Sequence, residues 1–172
     1  MFLAKLDHTI SLALYTMTRA RGLHTVAVVF ARWVFWVLLI AIGAFVYLNQ
    51  EPLFVAELIK VMTLSIAFGF IGNLWLGKIF VRKRPFITHK LHSLIPTHWL
   101  GASFPSDHAM LSFAIAAPLS VVDSVTGLWA LIVAGLIALS RVSVGVHYIS
   151  DVLIGSAVGV IATLLAVFFV TF

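Results

Sequence analysis

Two histidines and one carboxylate have the types and spacing expected of a nucleophilic site. His147 and Asp151 are four residues apart, so they share one face if a single helix includes both. A carboxylate that accepts a hydrogen bond from one imidazole nitrogen fixes the tautomer and leaves the other nitrogen free to attack. A second histidine, His108, can then protonate the leaving oxygen. These residues predict histidine-based catalysis, although they do not decide which of the two histidines attacks.

Several cations accompany the histidines and predict an anionic substrate. Lys78, Arg84 and Arg141 stand near the ends of apolar stretches. A guanidinium presents a planar fork of donors that fits phosphate oxygens, and a lysine adds a compact charge. Ser106 lies where a predicted helix begins, and free backbone N–H groups at a helix start form a phosphate site that a serine can extend. We therefore predict that these four residues bind a phosphate group.

The elements that must position these residues are expected to be membrane helices. Of 172 residues, 62% are hydrophobic and 10% are charged, whereas a soluble domain is about half apolar and about a quarter charged. A small core cannot hide this excess, so lipid is the expected solvent. The net charge of +5 comes mostly from basic residues beside apolar stretches, which favours membrane lipids or a phosphorylated substrate over nucleic acid. The absence of cysteine excludes a thiolate nucleophile.

Five apolar stretches are long enough to be interpreted as transmembrane helices, since about 20 apolar residues cross a bilayer. They cover residues 24–48, 53–81, 104–122, 126–144 and 149–172. Lipid offers the backbone no hydrogen-bond partners, and these runs lack the alternation of barrel strands, so we predict helices. The chain 1–172 is thus expected to form a single all-α domain, a polytopic membrane helical bundle with no room for a second fold.

Two segments outside these spans carry most of the remaining polar residues. Residues 1–21 mix apolar and charged side chains, which predicts an amphipathic helix in the membrane interface; a short sixth span is the alternative. Residues 82–103 predict a loop with Trp99 at the interface. A metal site in the 89–98 part of this loop would lack any recognised ligand spacing. The histidines interpreted as interfacial or loop residues are His8, His24, His89, His92 and His98.

Alternation of direction between consecutive spans brings the candidate residues to one side of the membrane. The end of an even-numbered span and the start of an odd-numbered span share a side. The eight candidates there are Lys78, Arg84, Ser106, Asp107, His108, Arg141, His147 and Asp151. The opposite side carries the charges of Glu51, Glu57, Lys60 and Asp123. Ionisable residues within spans usually mark function, but we expect Arg32, near the start of the first span, to extend to the interface as a structural residue.

This pattern resembles the type 2 phosphatidic acid phosphatase family of membrane lipid phosphatases, whose motifs are K-x6-R-P, P-S-G-H and S-R-x5-H-x3-D. The third motif is present unchanged as Ser140-Arg141, His147 and Asp151. The second is present as residues 105–108 with Asp107 in place of glycine, and the first, Lys78 to Arg84-Pro85, is one residue shorter. The resemblance covers about residues 50–172, and the second and third motifs in this order are highly specific.

The resemblance implies a helical bundle around the site and a role for each matched residue. His147 is the implied nucleophile, which forms a phosphohistidine, with Asp151 as its partner and His108 as the general acid. The implied phosphate binders are Lys78, Arg84, Ser106 and Arg141, and no metal or other cofactor is implied. The shortened first motif rotates Lys78 by about 100° on its helix relative to the family pattern. We expect Asp107 to be accessory and to orient a cation or a histidine.

The second motif is most like that of the bacitracin-resistance type of undecaprenyl diphosphatase within this family. The leading expectation is therefore hydrolysis of undecaprenyl diphosphate to undecaprenyl phosphate and phosphate, a step that recycles a peptidoglycan lipid carrier. Phosphatidylglycerophosphate, phosphatidic acid and lipid A phosphates are the alternative substrates. A transporter or flippase that binds a lipid phosphate without cleaving it is the alternative of another class, but it has no use for two histidines and a carboxylate.

Two indications of orientation disagree in the sequence. Ten of the eleven lysines and arginines lie on the site side, which the positive-inside rule would make cytoplasmic. Several of these cations are expected to bind substrate, so the count is biased. Relatives that recycle the lipid carrier act at the outer face, and we therefore expect a bacterial cytoplasmic membrane protein whose site faces the periplasm or exterior. The sequence gives no indication of the oligomeric state.

Overall fold

The computed structural model describes residues 2–49, 51–96 and 101–171, and every regular element among them is helical. The elements in order are α1 (Phe2–Ala20), α2 (His24–Val29), a π-helical segment (Phe30–Val34), α3 (Phe35–Leu48), α4 (Pro52–Ile79), α5 (Pro85–Thr88), α6 (Asp107–Val122), α7 (Ser124–Ser143) and α8 (Ile149–Thr171). The predicted all-helical bundle is confirmed. The predictions for His98 and Trp99 lie outside the described residues.

Four helical stretches in the described chain are long and apolar enough to cross a membrane. They are His24–Leu48, which joins α2, the π segment and α3, then α4, α7 and α8. Their outer faces expose large apolar side chains such as Trp33, Trp129 and Phe169, as helices in lipid do. The first, second, fourth and fifth predicted spans are therefore present within a few residues of their expected bounds.

The third predicted span is shorter than expected and forms the centre of the bundle. α6 has 16 residues, which corresponds to about 24 Å against a hydrocarbon core of about 30 Å. It packs against α4, α7 and α8, and Ala109, Met110, Ala114 and Ala116 on it are fully buried. Because neighbouring helices shield it from lipid, α6 need not match the bilayer thickness. The predicted polytopic helical bundle is thus present as four helices long enough to span a membrane and one shorter, buried apolar helix.

Two glycines allow α8 to approach α6 closely. A Cβ atom on Gly155 would lie 2.5 Å from the Ser106 carbonyl oxygen, and one on Gly159 would lie 2.5 Å from that of Met110. Small residues one helical turn apart let helix backbones pack tightly within membranes. The contact is close to the start of both helices, where residues of the second and third motifs lie. The packing therefore holds the two motifs together.

Helix α1 packs against the protein through its polar face. Ser11, Tyr15 and Thr18 are almost fully buried, and with Asp7 they recur every three or four residues on one face. The Tyr15 hydroxyl donates to the carbonyl oxygen of His92 at 2.7 Å, which ties α1 to the loop after α5. The predicted helix over 1–21 is present, and its interfacial position stays a prediction. Its hydroxyl-rich face indicates that α1 contributes to the region beside the motifs.

Candidate active site

A cavity of about 750 Å³ opens among the motif-bearing elements. Arg84, Asp107, His108, Arg141 and His147 all line it. These residues are up to 63 positions apart in sequence and come from the loop before α5, from the start of α6, from the end of α7 and from the turn before α8. The structure thus brings five of the eight predicted residues to one concave surface, as the alternation of the spans predicted.

His147 is held in one tautomer by two neighbours. Its ring lies in the turn between α7 and α8, where Gly145 takes the left-handed conformation with φ of +82°, and the residue is only 4% exposed. Nδ1 lies 2.7 Å from the carbonyl oxygen of Ser103, and a carbonyl can only accept, so Nδ1 carries the proton. Nε2 lies 3.5 Å from Nη1 of Arg84. The unprotonated nitrogen therefore faces the cavity.

Burial also keeps this ring uncharged. Loss of hydration lowers the pKa of His147 below the ordinary histidine value, and the nearby guanidinium groups of Arg141 and Arg84 lower it further, against the opposing effect of Asp151. A neutral imidazole with a free lone pair is the form that can attack an electrophile. The geometry and the charge environment of His147 both fit a nucleophile.

The predicted hydrogen bond between His147 and Asp151 is replaced by a longer electrostatic contact. Their closest approach, Nδ1 to Oδ2, is 3.7 Å, which is beyond hydrogen-bond range. Oδ2 of Asp151 accepts instead from the backbone N–H of Tyr148 at 2.8 Å, and Oδ1 accepts from Arg82 at 2.9 Å. The Ser103 carbonyl therefore fixes the tautomer. Asp151 remains close enough to offset positive charge on the ring.

Arg82 is a residue of this region that the sequence reasoning missed. Its guanidinium donates to Asp151, to the Ser150 hydroxyl at 2.7 Å and to Asp7 of α1, and it lies 3.7 Å from the centre of the Tyr148 ring. We refer to Asp7, Arg82, Tyr148, Ser150 and Asp151 as the rear network. No spacing rule marks Arg82, because its partners are 68 to 75 positions away in sequence.

Helix α1 also caps the start of α8 within this network. The backbone N–H of Ser150 donates to Oδ1 of Asp7 at 2.9 Å, and that of Ile149 donates to the Ser11 hydroxyl at 2.9 Å. The first N–H groups of a helix have no partners within it, so these side chains from another helix satisfy them. Although burial opposes it, the hydrogen bonds from Arg82 and Ser150 lower the pKa of Asp7. The carboxylate is thus ionised at neutral pH.

Arg84 and Arg141, which we call the cavity arginines, differ from Arg82 in their hydrogen-bond partners. Arg84 donates to the carbonyl oxygens of Gly101 at 3.2 Å and Val146 at 3.4 Å, and Arg141 donates to that of Ala31 at 2.7 Å. Neither forms a salt bridge with any described residue. Burial lowers the pKa of Arg84 without removing its charge at neutral pH. Two cations facing a cavity without a carboxylate partner suit the oxygens of a phosphate group.

His108 and Ser106 lie at the start of α6. The His108 ring lines the cavity, contacts the Phe35 ring edge-on with the centroids 6.1 Å apart, and has no hydrogen-bond partner among the described residues. Its nitrogens are therefore free to exchange a proton with a ligand. The Ser106 side chain does not cap α6: its hydroxyl is buried without a partner in the described chain, while its backbone N–H donates to the Asp151 carbonyl oxygen at 3.0 Å.

Asp107 and Lys78 differ from their expected positions. Oδ1 of Asp107 accepts a hydrogen bond from the Asn73 side chain at 2.6 Å, so its partner is an amide of α4 instead of a cation or a histidine. Lys78 is exposed at the end of α4 and is not among the residues that line the cavity. This placement agrees with the rotation expected from the shortened motif. Its role in binding phosphate stays a prediction.

Arg32 also lines the cavity, and its expected structural role at the interface stays a prediction. The residue belongs to the π-helical segment, and its neighbour Ala31 accepts the hydrogen bond from Arg141. Within the described ranges, no three histidine or carboxylate side chains lie close enough together to hold a metal ion. The cavity is therefore lined by three guanidinium groups, two imidazoles and the carboxylate of Asp107, which accepts from Asn73.

Comparison with known proteins agrees with the motif pattern. Over 94 residues the chain is 38% identical to the undecaprenyl-diphosphatase BcrC of Bacillus subtilis (strain 168), a match over 54% of this chain and 48% of the relative. Over 89 residues it is 34% identical to the bacitracin transport permease protein BcrC of Bacillus licheniformis, a match over 52% and 44%. The matched region thus spans about half the length of these curated relatives.

Solved structures show the same architecture over nearly the whole chain. The Aquifex aeolicus LpxE structure superposes with a TM-score of 0.72 at 26% identity, covering 90% of this chain and 92% of that one. The PAP2-type phosphatidylglycerolphosphate phosphatase of Bacillus subtilis shares the fold with a TM-score of 0.64 at 24% identity, covering 97% and 85%. The sequence pattern that defines the PAP2 superfamily matches residues 58–172, which include all eight predicted site residues. The chain belongs to the PAP2 superfamily.

Proposed function

We propose that this protein is an integral membrane phosphatase that hydrolyses undecaprenyl diphosphate to undecaprenyl phosphate and inorganic phosphate. The observation that carries the proposal is the placement of His147, whose Nε2 faces a cavity that also holds His108 and both cavity arginines. The Bacillus subtilis relative named undecaprenyl-diphosphatase supports the choice of substrate.

The first step forms a bond between Nε2 of His147 and the terminal phosphorus. The bond from phosphorus to the bridging oxygen breaks, and the bridging oxygen leaves with the lipid phosphate and takes a proton from His108. The negative substrate favours the protonated form of His108 that this step requires. Arg84 and Arg141 neutralise the equatorial oxygens as charge develops on them.

The second step releases phosphate from the phosphohistidine. His108, now neutral, removes a proton from a water molecule as the water oxygen attacks phosphorus, and the bond to Nε2 of His147 breaks. During both steps the positive charge on the His147 ring is stabilised by the Ser103 carbonyl, which accepts from Nδ1, and by Asp151 at 3.7 Å. Restoration of the neutral ring completes the cycle.

Phosphate release by the purified protein in detergent tests this function. Undecaprenyl diphosphate is compared with phosphatidylglycerophosphate, phosphatidic acid and a lipid A phosphate, because the Bacillus subtilis and Aquifex aeolicus neighbours share the fold. We expect the highest kcat/KM for undecaprenyl diphosphate. His147→Ala should abolish turnover, while His92→Ala, an exposed histidine that does not line the cavity, should retain it. Preference for a two-tailed glycerophospholipid would reject the carrier substrate.

A lipid-phosphate transporter or flippase is the second candidate, because one relative is named a bacitracin transport permease. Such a protein would use the cavity arginines but not an attacking nitrogen. The same assay separates the two functions, since a transporter releases no inorganic phosphate. Turnover that is unchanged in His147→Ala would reject the mechanism proposed above.

The site is proposed to face the periplasm or exterior of a bacterial cytoplasmic membrane. The chain contains no cysteine, so His92→Cys creates a single thiol at an exposed position in the loop on the site side. An impermeant maleimide added to intact cells should label this thiol. Labelling only after the cells are broken would place the site in the cytoplasm.

A further inference from the structure

We propose that Arg32 binds the inner phosphate of a lipid diphosphate, the one that leaves with the lipid, and so favours diphosphates over monophosphates. This inference rests on the proposed function and adds a residue to the same site. Arg32 lines the cavity together with Arg84, Arg141, His108 and His147. It lies outside all three sequence motifs and before the region that matches the superfamily model.

The position of the general acid shows which side of the cavity receives the leaving group. His108 donates its proton to the bridging oxygen, so the inner phosphate lies next to this ring. The ring of His108 contacts that of Phe35 at the start of α3. Arg32 precedes Phe35 by three residues, which is about one helical turn. Both residues therefore belong to the part of the first span that adjoins the leaving group.

The backbone of this span is fixed to the phosphate-binding machinery. Residues Phe30–Val34 form a π-helical segment, and such segments recur at functional sites. The Ala31 carbonyl accepts a hydrogen bond from Arg141 at 2.7 Å. Arg32 is thus directly adjacent to a residue that contacts one of the cavity arginines. A phosphate bound by Arg141 would thus lie beside the helical segment that carries Arg32.

The charge of Arg32 has no acidic partner within the described ranges. The guanidinium forms no salt bridge there, and its aromatic contact is with the Trp33 ring, 5.5 Å away. Trp33 and Trp36 are more than half exposed on the outer face of the same span, where a lipid tail would lie. Arg32 therefore stands between the cavity and the lipid-facing surface, as a group that holds a lipid-linked phosphate must.

The inference predicts a selective effect on the leaving-group charge. When the bond from phosphorus to the bridging oxygen breaks, its electron pair moves to the inner phosphate, and a nearby guanidinium stabilises that charge. A monophosphate ester has no inner phosphate for Arg32 to bind. Removal of Arg32 should therefore slow diphosphate hydrolysis more than monophosphate hydrolysis.

The test compares Arg32→Gln with the wild type on farnesyl diphosphate and farnesyl monophosphate in detergent. We expect kcat/KM for the diphosphate to fall about 10- to 100-fold, the size of one hydrogen bond between charged groups, and that for the monophosphate to change less than about threefold. Arg32→Lys, which keeps the charge, should recover part of the diphosphate activity. Arg21→Gln, an exposed arginine outside the cavity, is the matched control and should change neither rate.

The outcomes separate this inference from the proposed function. Equal losses on both substrates, or no loss on either, would overturn the inference and return Arg32 to a general electrostatic or interfacial role. Monophosphate turnover by Arg32→Gln also shows that the variant is folded. If the wild type releases phosphate from neither substrate nor from undecaprenyl diphosphate, the proposed function itself fails and the inference falls with it.

Discussion

The arginines around His147 fall into two groups that differ in their partners. Arg82, in the rear network, is bonded to Asp7 and Asp151, both of which are ion-pair partners. The cavity arginines, Arg84 and Arg141, donate to main-chain carbonyls and form no ion pair among the described residues. A paired guanidinium has its charge satisfied by the protein, whereas an unpaired one is available to an anionic ligand. The difference assigns Arg82 to positioning and the cavity arginines to substrate.

Among the variants that compare the two groups of arginines, loss of a cavity arginine should have the largest effect on catalysis. Arg141→Gln removes one buried charge that faces the phosphate oxygens, and we expect kcat/KM to fall about 10²- to 10³-fold. The inhibition constant of inorganic phosphate should rise in the same variant, because the product uses the same contact. Arg141→Lys, which keeps the charge but lacks the planar fork of guanidinium donors, should give an intermediate loss. An unchanged phosphate inhibition constant would place Arg141 with the rear network.

Loss of Arg82 should affect stability more than phosphate binding. The Asp151 side chain is fully buried, and removal of one partner of a buried ion pair costs about 3–5 kcal/mol. We expect Arg82→Gln to lower the unfolding temperature and kcat, while the inhibition constant of inorganic phosphate stays within about twofold of the wild type. A large rise in that constant would show that Arg82 also contacts substrate and would remove the distinction between the two groups.

The contribution of Asp7 should appear as a pH dependence of stability. Its folded pKa is lowered by the hydrogen bonds from Arg82 and Ser150, which outweigh burial. A carboxyl group with a lowered folded pKa stabilises the fold above its unfolded pKa of about 3.9, and this stabilisation is lost as the pH falls through the folded pKa. The unfolding temperature of the wild type should therefore fall more steeply below about pH 4 than that of Asp7→Asn. Parallel curves would show that Asp7 makes no such contribution.

The smallest effect is expected at Lys78. The side chain is exposed and does not line the cavity, so Lys78→Ala should change kcat/KM by less than about threefold. The resemblance to the family motif implies a phosphate binder at this position. A loss as large as that of Arg141→Gln would restore that role and would show that the end of α4 moves when substrate binds.

The spans and the convergence of the motifs were predictable because both follow from the order of residues along the chain. Apolar length marks the four spans, and alternation of direction brings His108, Arg141 and His147 to one side of the membrane. The buried position of α6 was not predictable, since an apolar segment in lipid and one in a protein core have similar compositions.

The partners of His147 and the role of α1 were not predictable from spacing. The Ser103 carbonyl is a backbone atom, which leaves no mark in residue types. Asp7 and Ser150 are 143 positions apart, so their contact depends on how α1 docks. In the sequence, Arg82 looks like the other basic residues of its loop, and Arg32 looks like an arginine that extends to the interface. The position of a basic residue in the sequence does not reveal whether a carboxylate will pair with it in the fold.

Identification of the phosphorylated atom tests the central claim most directly. The protein is mixed rapidly with undecaprenyl diphosphate carrying a radioactive terminal phosphate, quenched in alkali, and digested to locate the label. Because Nδ1 of His147 is bonded to Ser103 while Nε2 faces the cavity, we predict one label per chain, on Nε2 of His147. Label on Nδ1, label on His108, or turnover without any phosphohistidine would contradict the account.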